Sequence, residues 1–450
     1  MRIGLIGHAT LTITHGDFFA LMDPVLVDPF ESGRNYFNPP VEIDVAYLRE
    51  RAQVIIISHA HFDHFSPRSL ALLDRRAMVL YPEGASIIEH ALQRLGFDDV
   101  QPMRAWQTVE VGPMKLTPTP SEATFPELGI LFHASDRAVW NLVDTDVDES
   151  MVGYLRAAYG SPDLLIAPYQ PLIEDPLTED SLGTAFPYDQ YGRFLTRVWN
   201  IRPRAVVPGS FGYRFADPWL NQRGFPISAS QFAADLKRVT PDLEILHLTP
   251  GGAVDVGEVI RLEPDTLLYA KRLDEPVALD WRPDKGVPPL TDRNPKGHTP
   301  DELRSTVAGF LDGELLPSLS LQVSWRERLA RIGTLWRLEV IYPDGSIEMR
   351  ALDFNRMPLA WAPPSASAFA KLHTSVTASG LVGILRGEIS PYGFRFNDIR
   401  TVNRLYEVHR AGVSQAGDGD DDPLTLLLKD TLNRRYVDRE LDEILGVSSS

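Results

Sequence analysis

The chain has 450 residues, of which 44% are hydrophobic and 23% charged, so it is long enough for two or three globular units. Its formal charge of −17 argues against nucleic acid or an anionic membrane as a general partner, because both are bound through basic surface. It has no cysteine, which excludes disulfides, thiolate zinc sites, iron–sulfur clusters and cysteine nucleophiles.

Met1 to Gly7 reads as a first strand. It lacks the basic head, apolar stretch and cleavage site of a signal peptide, and no apolar run in the chain is long enough to span a bilayer. A cytoplasmic location without membrane insertion is the expectation. Gly7-His8-Ala9-Thr10-Leu11 then leads through a strand-like stretch to Leu21-Met22-Asp23-Pro24-Val25-Leu26. The β-branched run Val54-Ile55-Ile56-Ile57 reads as a buried strand. It ends in Ser58-His59-Ala60-His61-Phe62-Asp63-His64, which places three of the chain's 11 histidines and a carboxylate in one loop. His59 and His61, two apart, can point the same way while the chain is extended, and the turn through Asp63 and His64 offers further ligands. Neutral imidazole is the commonest metal ligand, and a carboxylate suits a second, harder metal.

Further along, strands are expected over Ala77–Pro82, Ala138–Val143, Asp163–Pro168, Ala205–Pro208 and Leu243–Leu248. Helical spacing covers Ser86–Leu95, Tyr191–Trp199 and Ser228–Val239. Residues 271–300 hold six prolines, which suits a connection rather than a helix or central strand. Thr299-Pro300-Asp301-Glu302 has the form of a capping box with proline at the first helical position. We therefore expect a catalytic domain over 1–265, a connection over 266–299 and an α+β accessory domain over 300–450. In the last, Leu335–Tyr342 and Ile347–Leu352 flank a Pro-Asp-Gly-Ser turn, and Ala378–Arg386 reads as a helix. The acidic segment Gly417–Pro423 lacks the ligand ladder of a calcium loop and reads as a solvated linker. Leu424–Leu445 reads as an amphipathic helix with Leu428, Leu432, Leu441 and Leu445 on related turns, packed on its own protein or on a symmetry mate in a homo-oligomer. The last residues, from Val447, are expected to fray.

The HxHxDH pattern of His59 to His64, with "GHATL" and "DP" before it, resembles the metallo-β-lactamase superfamily. The resemblance covers about the first 260 residues and is closest to the branch holding ascorbate-6-phosphate lactonase and CMP-N-acetylneuraminate hydroxylase. It implies an αββα sandwich, an α/β fold of two sheets packed together with helices outside. Helix, strands and helices after residue 300 weakly resemble the sterol-carrier-like domain of alkylsulfatases in the same superfamily.

The resemblance further implies two divalent metal ions, zinc or iron, with manganese as a third choice. His59 and His61 would hold the first, Asp63 and His64 the second. A bridging aspartate should follow a buried strand, which points to Asp144, with Asp146 as the alternative. A third histidine is expected in a loop near residue 120, where Thr117–Thr124 has none and Glu122 is the strong ligand in place; His133 is expected to face solvent. A glutamate there resembles a di-iron β-hydroxylase of chloramphenicol biosynthesis, which has the same fold. The last histidine is also missing: Ser210 stands at the matching strand end, and His247, one strand later, is either a ligand or a core residue. Exchanging imidazole for carboxylate moves preference from zinc toward iron or manganese.

Two reactions follow on a small-molecule substrate. A hydrolase would use the metals to activate water, with Asp63 orienting the nucleophile and His8 assisting or serving the first turn structurally. An oxygenase would use the same ligands and take electrons from a separate reductase. A degenerate metal-binding scaffold is the reading from a different class.

Overall fold

Val54–Ile56 is buried at every position, as a strand covered on both faces requires. It runs parallel to Phe18–Met22 on one side and to Met78–Pro82 on the other. The computed structural model describes residues 1–171, 186–209, 212–332, 335–363, 370, 372–403 and 423–447. Among these, an eight-stranded sheet has the order Ile260–Glu263, Ala253–Val256, Arg2–Gly7, Thr10–His15, Phe18–Met22, Val54–Ile56, Met78–Pro82 and Val100–Met103. A seven-stranded sheet has the order Glu244–Ile245, Ala205–Pro208, Leu164–Ala167, Arg137–Asn141, Leu128–Ala134, Met114–Pro120 and Val109–Val111.

The inner faces of the two sheets interdigitate in one core. Ile13, Met22, Ile56 and Leu80 of the first sheet are almost fully buried with Ile130, Phe132, Val139 and Leu164 of the second. Burying a side chain of this size stabilises the fold by roughly 1.5–3 kcal/mol. The outer face of the second sheet presents Leu131, Trp140, Leu165 and Val206 to Val152, Val198, Ile201, Phe232 and Leu236. Those five sit on the helices Glu149–Tyr159, Tyr188–Ile201 and Ala229–Val239. Helix Ser86–Leu95 buries Ile88, Ala91, Leu92 and Leu95 and stops at Gly96, which has φ +76°. The architecture is the αββα sandwich.

Two elements differ from expectation. Thr117–Pro120, read as a loop, lies inside the strand Met114–Pro120. Its prolines are tolerated because the neighbouring strand Val109–Val111 pairs only with Met114–Leu116; beyond that ladder the Pro118 carbonyl still accepts from the Trp106 amide (2.8 Å), a bond that needs no proline N–H. The strand expected over Leu243–Leu248 shrinks to Glu244–Ile245 at the edge of its sheet.

The chain divides into two compact units. The first comprises Met1–Leu172, Phe186–Arg282 and Glu443–Val447. Strand Ala270–Arg272 pairs with Val41–Ile43, which ties residues beyond 265 to this unit. The second comprises mainly Pro283–Asp442. Its five-stranded sheet has the order Trp361–Ala362, Ile347–Asp353, Leu335–Ile341, Leu372–Thr377 and Ile399–Asn403. Along Leu335–Ile341 the alternate residues Trp336, Leu338 and Val340 are fully buried. They share a core with Leu303 and Val307 of helix Pro300–Phe310 and Leu381 and Val382 of helix Ala378–Leu385. The capping box is formed: Thr299 accepts from the Glu302 amide and Glu302 from the Thr299 amide. In the last helix, Pro423–Leu445, Leu441 is buried but Leu445 is 45% exposed, because the helix ends there. The acidic segment before Pro423, the side chains of Leu428 and Leu432, and the last three residues lie outside what is described. No helix among the described residues is long and apolar enough to cross a membrane.

Candidate metal centre

Strands Phe18–Met22 and Val54–Ile56 end side by side, with the Asp23 amide still bonded to the Ile56 carbonyl (2.8 Å). One continues into Asp23 and the other into Ser58 and His59. The His64 and Phe65 amides then close a turn onto the His61 carbonyl (2.9 and 2.7 Å), which brings the His64 ring to 4.2 Å from the His59 ring. From the second sheet, Arg137–Asn141 leads to Asp144. The Asn141 side chain accepts from the Val143 amide (3.0 Å) and holds Val143 at φ +55°. That region is hostile to a β-branched residue. His8 and Asp23 also have positive φ, +47° and +46°. Three such residues lie at strand ends around one site, and each conformation costs on the order of 1–3 kcal/mol that the surrounding fold must offset.

Hydrogen bonds fix which ring nitrogens carry protons. The Asp23 carboxylate accepts from the Ser58 amide and the Ser58 hydroxyl, both at 2.7 Å. With its proton committed, the Ser58 Oγ accepts from His59 Nδ1 (2.9 Å), which leaves His59 Nε2 bare. Asp23 also accepts from His64 Nδ1 (3.0 Å), so the neutral His64 ring has a bare Nε2. This Nε2 is buried without a hydrogen-bond partner, 3.2 Å from the Asp144 carboxylate and 3.7 Å from that of Asp63. His61 Nδ1 lies 3.0 Å from His59 Nε2. The bare His64 nitrogen and the carboxylate oxygens it faces repel unless a metal ion or a proton stands between them. The donor set therefore fits a metal.

The charges agree with that assignment. Burial, helped by the neighbouring His64 and His61, holds the His59 pKa well below the ordinary imidazole value. Burial opposes charge on His64 too, but Asp144 and Asp63 outweigh it and raise its pKa. Burial works against ionised Asp63 and Asp144 as well, yet His64, with His8 for Asp63 and His59 for Asp144, holds both far below the usual carboxylate range. A proton on His64 and a metal cation satisfy the same field.

His8 stands on the other side of Asp63. Its Nδ1 accepts from the Gly212 amide (3.3 Å), so its Nε2–H donates to Asp63 (3.0 Å). A side chain at 212 would place its Cβ within 2.8 and 2.9 Å of the His8 backbone N and Cα, so only glycine permits this approach.

Of the residues expected at the site, the fold gathers His8, Asp63 and His64 in one group and His59, His64 and Asp144 in another, with His61 beside His59. Asp146 turns away and pairs with Arg197. Glu122 is exposed; its amide bonds the Asp146 carbonyl (2.9 Å), and its charge acts on Arg197. His247 is exposed and joins neither group. His133, expected in solvent, is half-buried against the Tyr159 ring (5.4 Å), and burial lowers its pKa. Ser210 lies outside the described residues.

Two residues near the centre were missed. Asp23 aligns His64 and Ser58; its only signal was an aspartate closing a strand ahead of the histidine-rich loop. Glu127 is buried at 7% exposure, where its carboxylate accepts from the Ser121 hydroxyl (2.5 Å). Burial pushes its pKa up to about 7, the Ser121 bond opposing and Asp144 adding to the rise. The following residue, Leu128, donates its amide to the Ser58 carbonyl (3.1 Å), which ties this carboxylate's backbone to the metal-ligand loop. A glutamate opening the apolar strand Leu128–Ala134 was the available signal.

The chain matches the family model of the Beta-lactamase superfamily domain over residues 24–198. A UPF0173 metal-dependent hydrolase of Salinibacter ruber (strain DSM 13855 / M31) is 29% identical over 219 residues, covering 46% of this chain and 83% of that protein. Similar solved structures include CmlA, a diiron β-hydroxylase from Streptomyces venezuelae, at 21% identity and a TM-score of 0.40. That match covers 55% of this chain and only about half, 53%, of CmlA. An isothiocyanate hydrolase from Delia radicum gut bacteria is 13% identical, with a TM-score of 0.43, covering 57% of this chain and 100% of that one. Residues 24–198 of this chain are thus similar to the beta-lactamase superfamily domain, in agreement with the resemblance carried by the His59–His64 loop.

Proposed function

We propose that the first unit is a metal-dependent hydrolase with a dinuclear centre, acting on a small molecule. The observation that carries this is the buried His64 Nε2, which has no hydrogen-bond partner and faces two carboxylates. His59 and His61 would hold one ion and Asp63 and His64 the other, with Asp144 between them. Zinc, iron and manganese are the candidates for this set. When bound, such ions lower the pKa of water toward neutrality and polarise a scissile carbonyl or phosphoryl oxygen.

The chain's own residues arrange the rest. Asp63 is held by the His8 Nε2–H and keeps its second oxygen available to orient the attacking water. His8 keeps its proton on Nε2 as long as Gly212 occupies Nδ1. Asp23 fixes the tautomer and the orientation of His64 directly and of His59 through Ser58, which is how carboxylates behind ligating histidines act.

A second reading is favoured by Glu127. It belongs to neither candidate group, but a further buried carboxylate whose charge interacts with Asp144 makes the surroundings more anionic, which suits iron in an oxygenase that takes electrons from a separate reductase. Metal analysis of protein purified without added metal separates the two. Bound zinc together with turnover of ester, lactone or phosphodiester substrates supports the hydrolase. Bound iron with a visible charge-transfer band and no hydrolysis overturns it in favour of the oxygenase.

A further inference from the structure

We infer that the hydrolase's substrate carries an uncharged apolar group, and that a cavity of about 430 Å³ beside His8 receives it. The inference rests on the reading of the metal centre above for its link to catalysis. The cavity lies in the first unit, at the ends of strands from both sheets, and its volume is in the range of sites for drug-sized molecules. Leu11, Ile166, Val207, Phe225, Ile227 and Leu248 line it. Among the described residues no Asp, Glu, Lys or Arg does so, and among them His8 is the one residue it shares with the candidate metal groups.

Four of its polar side chains are already engaged. Gln170 bonds the Ile227 backbone in both directions, accepting from the amide (3.0 Å) and donating to the carbonyl (2.5 Å). Asn38 does the same with Val277, at 2.7 and 2.9 Å. The Asn141 oxygen takes the Val143 amide and its nitrogen faces the Met22 sulfur (3.4 Å). The Ser228 hydroxyl caps the helix Ala229–Val239 by accepting from the Gln231 amide (3.1 Å). A charged or sugar-like occupant would lose its hydration here without replacement, at a cost that an alkyl or aryl group avoids. The polar, scissile end of the molecule then lies toward His8 and Asp63, where the charges are.

The outer wall is the segment Pro276–Leu279, tied down by the Asn38–Val277 pair. This is the start of the proline-rich stretch, so part of that stretch shapes the cavity.

The test is fluorescence titration of the metal-loaded full chain with the neutral probe N-phenyl-1-naphthylamine, displaced by a series of n-alcohols. Saturable binding of one probe per chain is expected, with competition strengthening as the alcohol lengthens. Ala278→Trp, on the exposed outer segment, and Ala229→Trp, at the start of a helix, each fill the cavity and should weaken binding about tenfold or more. Absence of saturable binding, or affinity unchanged in both tryptophan variants, overturns the inference. Metal content on the same samples reports on the centre separately. Protein that binds probe through this cavity but no metal refutes the metal centre and not the apolar site; metal-loaded protein that binds no probe refutes the apolar site and not the centre.

Discussion

In the first unit His64 meets carboxylates in a way that leaves one ring nitrogen facing them without a hydrogen-bond partner; in the second unit His373 meets a carboxylate and the bonds close. Glu339 accepts from Ser375 (3.1 Å), contacts His373 Nε2 at 3.1 Å and pairs with Arg337 through its other oxygen. Every polar atom of that carboxylate has a partner within the protein, and the cluster lies on the half-buried face of a sheet. At the metal centre Asp23 occupies the outer nitrogen of His64, so the inner one must point at Asp144 and Asp63. Both clusters hold histidine and carboxylate. What separates a candidate metal site from a surface ion-pair network is which lone pairs the surrounding bonds leave over.

The largest expected effect breaks that comparison if it fails. Changing both His59 and His61 to Ala should reduce bound metal to below about a tenth of wild type while the protein stays folded, since the apolar core between the sheets includes neither ring. His373→Ala should leave metal content unchanged. Elemental analysis of both purified variants decides the matter, and equal metal content in all three proteins sinks the assignment.

Asp23→Asn keeps the size of the side chain but exchanges an acceptor oxygen for a donor facing Ser58 or His64. Metal affinity, read by competition with a chelator, should fall about 10–100-fold, the usual cost of disturbing a partner behind a ligating histidine. Glu339→Gln should not change it.

Glu127 and Glu122 divide in the same way. Glu127→Ala should lower metal occupancy or alter its identity, because a buried carboxylate whose charge interacts with Asp144 is lost. Glu122→Ala should leave both within about twofold, as expected for an exposed side chain.

In chelator-treated protein the two clusters should respond to pH with opposite sign. Glu127 has a folded pKa of about 7, raised from 4.5 by burial, so the native state binds the extra proton. Stability should fall as pH rises from about 4.5 to about 7, by up to about 3 kcal/mol, and Glu127→Gln should remove that slope. Glu339 is lowered to about 2, first by its bond to His373. Its contribution is present above about pH 4.5 and is lost as pH falls toward 2, and Glu339→Gln should flatten the acid limb. Urea midpoints between pH 3 and pH 8 test both arms.

The smallest effect concerns the two units themselves. Limited proteolysis is expected to cut first between residues 283 and 299, where prolines interrupt regular structure, and to leave two resistant fragments. First cleavage within 40–160 would argue against this division.

The sandwich was legible because its signals are local. A run such as Val54–Ile57 reports a strand buried on both faces, and Ser86–Leu95 followed by Gly96 reports an amphipathic helix with its stop. The candidate ligand loop was legible for the same reason, since His59, His61, Asp63 and His64 are neighbours in the chain. Asp144 was read as following a buried strand, and the fold sets it 3.2 Å from His64. Position along the chain failed where the deciding contact comes from elsewhere in the sequence. Glu122 and Glu127 are both carboxylates in one short segment, and burial by the packed sheets is what selects Glu127. Asp146 lost to Asp144 because Arg197, from a distant helix, holds it. Asp23 became part of the site only when parallel pairing put its strand beside Val54–Ile56. His8 reached Asp63 across more than fifty residues, with its proton placed by Gly212, some two hundred residues further along the chain. Composition and periodicity determine which segments bury themselves and what chemistry one loop can carry. Which nitrogen is bare, which carboxylate is dry and what walls the cavity were decided only by tertiary packing, because lone-pair direction and desolvation are properties of neighbours in space.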